Sequence, residues 1–213
     1  MNNREILLST IRREPPRERI PYTYEARHES DARFREYLGL GEGESVAEYF
    51  GCNSFTSLWA GIGAGPSFPE RSERNKTDEP GVSIDIWGCR REMIQAGDAI
   101  YSEVTCSPLA NAESIADVEA HDWPTPDEVV FPDMPDNFDL AAWKADKVVL
   151  EMGFLGPFGV PWGMLGLEKM MLDLAMNPGL VEAVVAKVEE FTYGCLEILF
   201  DKYPGAIDLI AEA

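Results

Sequence analysis

Two periods of apolar residues run along this chain, and together they predict strands and helices in alternation. Apolar residues recur every three or four positions in several segments, most clearly in residues 179–203, and this spacing is typical of amphipathic helices. Short apolar runs of strand length stand at residues 20–25, 55–59, 148–152 and 207–212. Because parallel strands need a crossover segment between them, this order predicts an α/β fold with four adjacent parallel strands.

One region departs from this alternation. Residues 82–87 and 100–105 both alternate between apolar and polar positions, and only a charged, glycine-containing segment separates them. Such a pair is typical of an antiparallel hairpin. The pattern therefore predicts a hairpin, at about residues 82–105, inserted between the second and third parallel strands.

The most informative stretch is residues 147–177, which has the pattern of strand, loop and helix. A β-branched, apolar run at 148–150 predicts the strand, a loop rich in Gly, Pro and aromatic residues follows, and Asn177 ends the helix. In α/β proteins the loop after the carboxyl end of a parallel strand is where chemistry is usually placed. Phe158 and Trp162 of this loop are therefore candidates for ligand contact, and the alternative is that they only pack the loop.

The composition indicates a folded, acidic protein, with 45% hydrophobic residues and a net charge of -20. No apolar run is long enough for a transmembrane helix, and the N-terminal segment lacks the pattern of a signal peptide, so we expect a cytoplasmic protein. The net charge disfavours binding to nucleic acids and to anionic membranes. It does not exclude an anionic small molecule, because a local arginine cluster can oppose the global field.

The cysteines favour a structural role over a metal or disulfide framework. Cys52, Cys89, Cys106 and Cys195 lie far apart and form no CxxC pair, which argues against a zinc ribbon and a disulfide scaffold. Cys195 falls in the apolar stripe of residues 179–203, so we expect a buried thiol rather than a nucleophile.

A glycine-rich segment at residues 61–65 invites comparison with dinucleotide-binding loops. It lacks the third glycine at the required offset, and Pro66 and Pro69 follow where a helix should begin. We therefore interpret these residues as a flexible loop, and the polar residues 66–80 as an exposed continuation.

Four segments of the chain, in their order and spacing, resemble the N-terminal half of the uroporphyrinogen decarboxylase superfamily. The opening helix leads through an Arg-Ile-Pro entry to the first strand, and an inserted region precedes the third strand-loop-helix unit. The end of the chain is similar to the fourth strand, which in these proteins runs on into an acidic motif. The segments are NREILLSTIRREPPRERIPY, WGCRREM with Pro108, Leu109, Trp123 and Pro124, GFLGPFGVPWGMLGLEKMMLDLAMNP, and IDLIAEA.

The resemblance implies a (β/α)8 TIM barrel, of which residues 1–213 would be one incomplete domain truncated at its C-terminus. Members of the family decarboxylate uroporphyrinogen without a cofactor, or transfer methyl groups using zinc and a corrinoid. We therefore expect a decarboxylase-like enzyme acting on a tetrapyrrole or with a corrinoid partner protein. The alternatives are a zinc- and corrinoid-dependent methyltransferase of the same superfamily and a non-catalytic ligand-binding barrel.

The chain departs from the decarboxylases in three places. Their arginine-rich motif after the first strand is replaced by YEARHESDARF, which lacks paired arginines, and their Asp after the second strand is missing from FTSLWAG. A family Tyr in the third loop is replaced by the region of Phe158 and Trp162. The zinc ligands of the methyltransferases would lie beyond Ala213, so no residue of this chain is predicted to bind a metal or cofactor.

The resemblance and the strand ends together nominate the site residues. Glu212, at the carboxyl end of the last strand, is the predicted catalytic residue. Arg27 and His28 follow the first strand and are predicted to bind substrate carboxylates, although such a pair also suits an ordinary surface. Glu151 and Asp208 lie earlier in their strands, where a buried acid would need a partner.

Overall fold

The computed structural model describes residues 2–14, 20–52, 55–97, 99–152, 156 and 158–211. Within these ranges the chain is a mixed α/β protein with two small sheets, one parallel and one antiparallel, and neither closes into a barrel. The barrel therefore stays a prediction. The helices and strands, in chain order, are α1 (Asn3–Ile11), α2 (His28–Leu38), α3 (Val46–Tyr49), β1 (Phe55–Thr56), α4 (Leu58–Ile62), α5 (Pro69–Arg74), β2 (Val82–Ile84), β3 (Arg90–Ala96), β4 (Ala99–Cys106), α6 (Ile115–Glu119), a 3₁₀ helix (Pro126–Glu128), α7 (Leu140–Trp143), β5 (Val148–Met152), α8 (Gly159–Leu165), α9 (Leu167–Met176), α10 (Pro178–Lys202) and β6 (Leu209–Ala211).

The chain folds into two compact units. Unit 1 contains Met1–Ala64, Asp133–Glu151 and Gly205–Ile210, and unit 2 contains Gly65–Pro132, Met152–Pro204 and Ala211–Ala213. The prediction of one domain over residues 1–213 stays a prediction.

Unit 1 is built on the parallel sheet, whose strand order is β1-β5-β6. Phe55 lies opposite Val148 and Thr56 opposite Val149 in parallel register, and both valines are fully buried. Three of the four predicted parallel strands therefore lie side by side in the predicted order. β1 covers only two residues of the predicted 55–59, because Ser57 already caps helix α4.

Residues 20–25 do not form the predicted first strand, since no helix or strand is assigned between Ile20 and Arg27. The side chains of Ile20 and Tyr22 are exposed, and the Tyr22 hydroxyl donates a hydrogen bond to the carbonyl of Phe50. A strand is stable only where a neighbour pairs with its backbone, and alternation in sequence does not supply that neighbour.

Gly61 belongs to helix α4 rather than to a flexible loop. A Cβ atom at this position would lie 2.8 Å from the rings of Phe138 and Trp143, so only glycine fits the contact. The loop interpretation of the first residues of this glycine-rich segment was therefore wrong. Residues 66–80 are mostly exposed, as predicted, but they include helix α5, whose Arg71 is buried.

The antiparallel sheet of unit 2 has three strands, in the order β2-β3-β4. The predicted hairpin paired the first of these strands directly with the last, and the structure corrects this by placing β3 between them. The sequence pattern did not predict β3, because its charged residues interrupt the alternation that is typical of a strand. Arg90 forms ion pairs with Glu79 and Glu92, and these contacts stabilise charges along a strand that is largely exposed.

Helix α10 forms the centre of unit 2 and packs against α6, α8, α9 and the 3₁₀ helix. Cys195 is fully buried in its apolar stripe, as predicted, and burial raises the pKa of its thiol to about 12. The buried residues of the helix are Leu180, Val181, Val184, Val188, Phe191, Thr192, Cys195 and Leu199. No helix in the described ranges combines the length and the apolar character needed to cross a membrane.

Candidate functional site: the carboxyl edge of the parallel sheet

The carboxyl edge of the parallel sheet in unit 1 holds one acidic and one hydroxyl side chain in direct contact. Ser57 directly follows β1, and Glu151 lies near the end of β5, the central strand. The Ser57 hydroxyl lies 3.0 Å and 3.2 Å from the two carboxyl oxygens of Glu151. Open parallel sheets usually place their chemistry at this edge, so this pair is the candidate site.

Glu151 is buried, with 5% of its surface exposed, and the donors that reach it from the described residues are neutral. Besides the Ser57 hydroxyl, the backbone N–H groups of Leu58 and Trp59 donate to its carboxyl group. These amides belong to the first turn of α4, where backbone donors lack partners within the helix. Glu151 therefore also holds the start of α4 in place.

Burial raises the pKa of Glu151, and the hydrogen bonds from Leu58, Ser57 and Trp59 oppose that shift without cancelling it. A carboxyl group with a raised pKa keeps its proton to a higher pH than an ordinary glutamic acid. Groups of this kind serve as proton donors and acceptors in enzymes when they lie at a substrate site. A raised pKa at Glu151 is the property that proton transfer at the carboxyl edge would require.

A second acid, Asp208, lies at the amino edge of the same sheet in an ionic environment. Arg4 donates to both of its carboxylate oxygens, at 2.6 Å and 2.7 Å, and Lys144 lies 3.0 Å away. The Val149 N–H donates a further bond of 2.9 Å. Burial alone would raise the pKa of Asp208, but these donors outweigh it and lower the pKa to about 2. Asp208 is therefore an ionised anchor that ties α1 to strands β5 and β6.

The predicted site residues are distributed over both units. Arg27 and His28 lie at the start of α2 in unit 1, and both side chains are exposed. Phe158 and Trp162 lie in unit 2, where Phe158 is 49% exposed at the start of α8 and Trp162 is half-buried within it. Glu212 lies outside the described residues. The proposed roles of all five stay predictions.

The sequence did not reveal the contact between Ser57 and Glu151. The pattern placed Glu151 within a buried strand and indicated that such an acid needs a partner. It could not identify Ser57, which is separated from Glu151 by 94 positions. The signal that was available was the hydroxyl residue directly after β1.

No group of three or more His, Cys, Asp or Glu side chains in the described ranges is arranged to hold a metal ion. Comparison with family models, with curated proteins and with solved structures finds no match to this chain. The function proposed for it therefore depends on the sequence resemblance and on the geometry of its own residues.

Proposed function

We propose that this chain belongs to an enzyme of the uroporphyrinogen decarboxylase type, with its chemistry at the carboxyl edge of the parallel sheet. Glu151 is the proposed proton donor, and Ser57 positions it. The observation that carries the proposal is the buried carboxyl group of Glu151, held by a hydroxyl and by backbone amides, with no cation paired to it among the residues that the structure describes.

Decarboxylation requires such a donor. When carbon dioxide leaves, the electron pair of the broken C–C bond stays on the substrate carbon, and that carbon must accept a proton to complete the reaction. A general acid is most effective when its pKa lies near the working pH. The raised pKa of Glu151 moves it in this direction, whereas Asp208, with a pKa of about 2, stays ionised and cannot donate.

The position of Ser57 and Glu151 at the carboxyl edge of the sheet also supports the proposal of a decarboxylase. The decarboxylases that the chain resembles carry Asp after their second strand, where this chain has FTSLWAG, which includes Ser57 but no acid. The carboxyl group of Glu151, from the adjacent strand, hydrogen-bonds to that serine. We propose that Glu151, which contacts Ser57 in the folded chain, takes the role of the Asp that is missing from FTSLWAG.

The substrate contacts remain those nominated by the sequence. Arg27 and His28 are proposed to bind carboxylate groups, since a guanidinium matches the two oxygens of a carboxylate. Phe158 and Trp162 are proposed to contact the flat face of a tetrapyrrole, because aromatic rings present apolar area at low cost in rotamer freedom.

A methyltransferase of the same superfamily is the second candidate. The absence of paired arginines in YEARHESDARF favours it, because that pattern binds the substrate carboxylates in the decarboxylases. In this case a corrinoid protein would be the partner and zinc the metal cofactor.

The decisive experiment compares Glu151→Gln with the unmodified protein in carbon dioxide release from uroporphyrinogen. Glutamine keeps the shape of the side chain but cannot donate the required proton, so we expect a loss of at least about 100-fold in kcat. Glu190→Gln, on the exposed face of α10, is the matched control and should retain activity. Circular dichroism of both variants checks that each is folded.

Full carbon dioxide release by folded Glu151→Gln would remove Glu151 from the mechanism. If the unmodified protein releases none but transfers a methyl group from methylcobalamin to a thiol, the second candidate replaces the first. If both reactions are absent while uroporphyrinogen still binds, the chain is a binding domain and the proposed chemistry is wrong.

A further inference from the structure

Unit 2 contains a cleft that is independent of the chemistry proposed at Glu151. Its volume is about 530 Å³, within the range of about 300–1,000 Å³ that is typical of small-molecule sites. One wall comes from α5 and the residue after it, and the other from β2, β3 and the turn between them. The wall residues that matter here are Ser72, Asn75, Ile84, Ile86, Trp87 and Arg91.

Arg71 also borders the cleft, but its hydrogen-bonding capacity is already used. It is 3% exposed, and its Nε donates to Glu128 at 2.7 Å. Its two Nη atoms donate to the carbonyls of Asp122 at 3.0 Å and Trp123 at 2.9 Å. Arg71 therefore fixes the wall of the cleft and leaves ligand binding to other residues.

In contrast to Arg71, Arg91 uses only part of its hydrogen-bonding capacity. Its Nε donates to the Asp85 carboxylate at 2.9 Å, and the other oxygen of Asp85 accepts the backbone N–H groups of Trp87 and Cys89, both at 3.0 Å. Asp85 is thereby saturated and orients the guanidinium. In the described part of the chain neither Nη atom of Arg91 donates a hydrogen bond, and one third of the side chain is exposed.

The remaining wall is largely apolar and contains one unused donor. Ile84 and Ile86 are half-buried and Trp87 is buried, so their side chains present hydrocarbon and aromatic surface. The indole N–H of Trp87 is buried and has no hydrogen-bond partner within the described ranges. Because Trp87 belongs to the wall of the cleft, its indole N–H can report on changes there.

From this combination we propose that the cleft binds a small organic carboxylate with an apolar body. The carboxylate pairs with the Nη atoms of Arg91, whose planar fork matches its two oxygens. The apolar body lies against Ile84, Ile86 and Trp87. The Nη atoms of Arg91 give the cleft a local site for an anion, although the whole chain carries a net charge of -20.

The test uses 4-phenylbutyrate as the probe and 4-phenylbutyramide as its neutral counterpart. Each is titrated into the full chain, and the indole N–H signal of Trp87 is followed by NMR. We expect the carboxylate to shift this signal in a saturable way. The amide should bind at least about tenfold more weakly, because a charge-assisted pair is roughly twice as strong as a neutral one.

Arg91→Gln removes the charge, and Arg91→Lys keeps the charge but removes the fork. Both should weaken binding of the carboxylate, the glutamine variant by at least about tenfold. Arg33→Gln, an exposed arginine of α2 in unit 1, is the control and should bind as the unmodified chain does. Equal binding of acid and amide, unchanged binding by folded Arg91→Gln, or no shift of the Trp87 signal up to the solubility limit would each overturn the proposal.

Discussion

The two edges of the parallel sheet hold the same chemical group in opposite electrostatic states. Asp208 at the amino edge is partly buried, with 11% of its side chain exposed, and Glu151 at the carboxyl edge is buried, with 5% of the residue exposed. The pKa of Asp208 falls to about 2, whereas that of Glu151 rises. Burial alone raises the pKa of either acid, so the difference comes from their partners.

Those partners differ in charge. Arg4 and Lys144 bring two cations to Asp208, while Glu151 receives hydrogen bonds from a hydroxyl and backbone amides. Cations stabilise the ionised form strongly enough to outweigh burial, and neutral donors do so only in part. The amino edge is therefore organised for stability, and the carboxyl edge keeps a group that can exchange a proton.

The largest effect is expected at Asp208. Asp208→Asn removes the charge that pairs with Arg4 and Lys144, which leaves two partly buried cations without their anion. We expect a loss of about 3 kcal/mol in the free energy of unfolding of unit 1. Urea denaturation measures the loss, and faster hydrogen exchange at the Val149 amide localises it to β5.

Asp146→Asn is the matched control, because its carboxylate is 68% exposed and should contribute little. A loss for Asp208→Asn no greater than that of the control would show that the amino edge is not an ionic anchor.

Asp208 and Glu151 should affect the pH dependence of the unfolding free energy in opposite directions. The pKa of Asp208 is lowered from 3.8 to about 2, so its stabilisation is present above pH 4 and is lost as the pH falls towards 2. This loss amounts to about 2 kcal/mol, since one pKa unit corresponds to about 1.4 kcal/mol. The pKa of Glu151 is raised, so its contribution is most favourable below its unfolded pKa and declines as the pH rises through the folded value.

Unfolding free energies measured across this pH range for the unmodified chain, Asp208→Asn and Glu151→Gln test both signs. Asp208→Asn should reduce the loss of unfolding free energy at acid pH. Glu151→Gln should remove the decrease in unfolding free energy at higher pH. Parallel curves for all three proteins would contradict the assignment of opposite states to the two edges.

The smallest effect is expected for Ser57→Ala. It removes the hydrogen bond to Glu151 and the N-cap bond that Ser57 accepts from the Trp59 N–H, which together are worth about 1–2 kcal/mol of stability. It should also raise the pKa of Glu151 further, because the serine hydroxyl stabilises the ionised form. Carbon-13 NMR titration of the Glu151 carboxyl group measures this shift, with Ser30→Ala on α2 as the control. An unchanged or lowered pKa would mean that Ser57 does not position the acid.

Local patterns predicted the elements whose stability depends on their own sequence. Asn2 forms a capping box with Glu5 at the start of α1, and α10 buries the apolar stripe that its spacing indicated. The buried valines of β5 likewise follow from a β-branched apolar run. Strand β3 was missed because cross-strand pairing and ion pairs, rather than an apolar pattern, hold its charged residues in the sheet.

The sequence by itself determined that an acid stands near the end of strand β5, that another precedes β6, and that each would need a partner. Only the tertiary structure decided which partner each acid received. Glu151 contacts Ser57 across 94 positions, and Asp208 contacts Arg4 across 204. A pKa depends on the charges and donors within a few ångströms, and the folded chain assembles these from distant positions, so two similar carboxyl groups acquired opposite states.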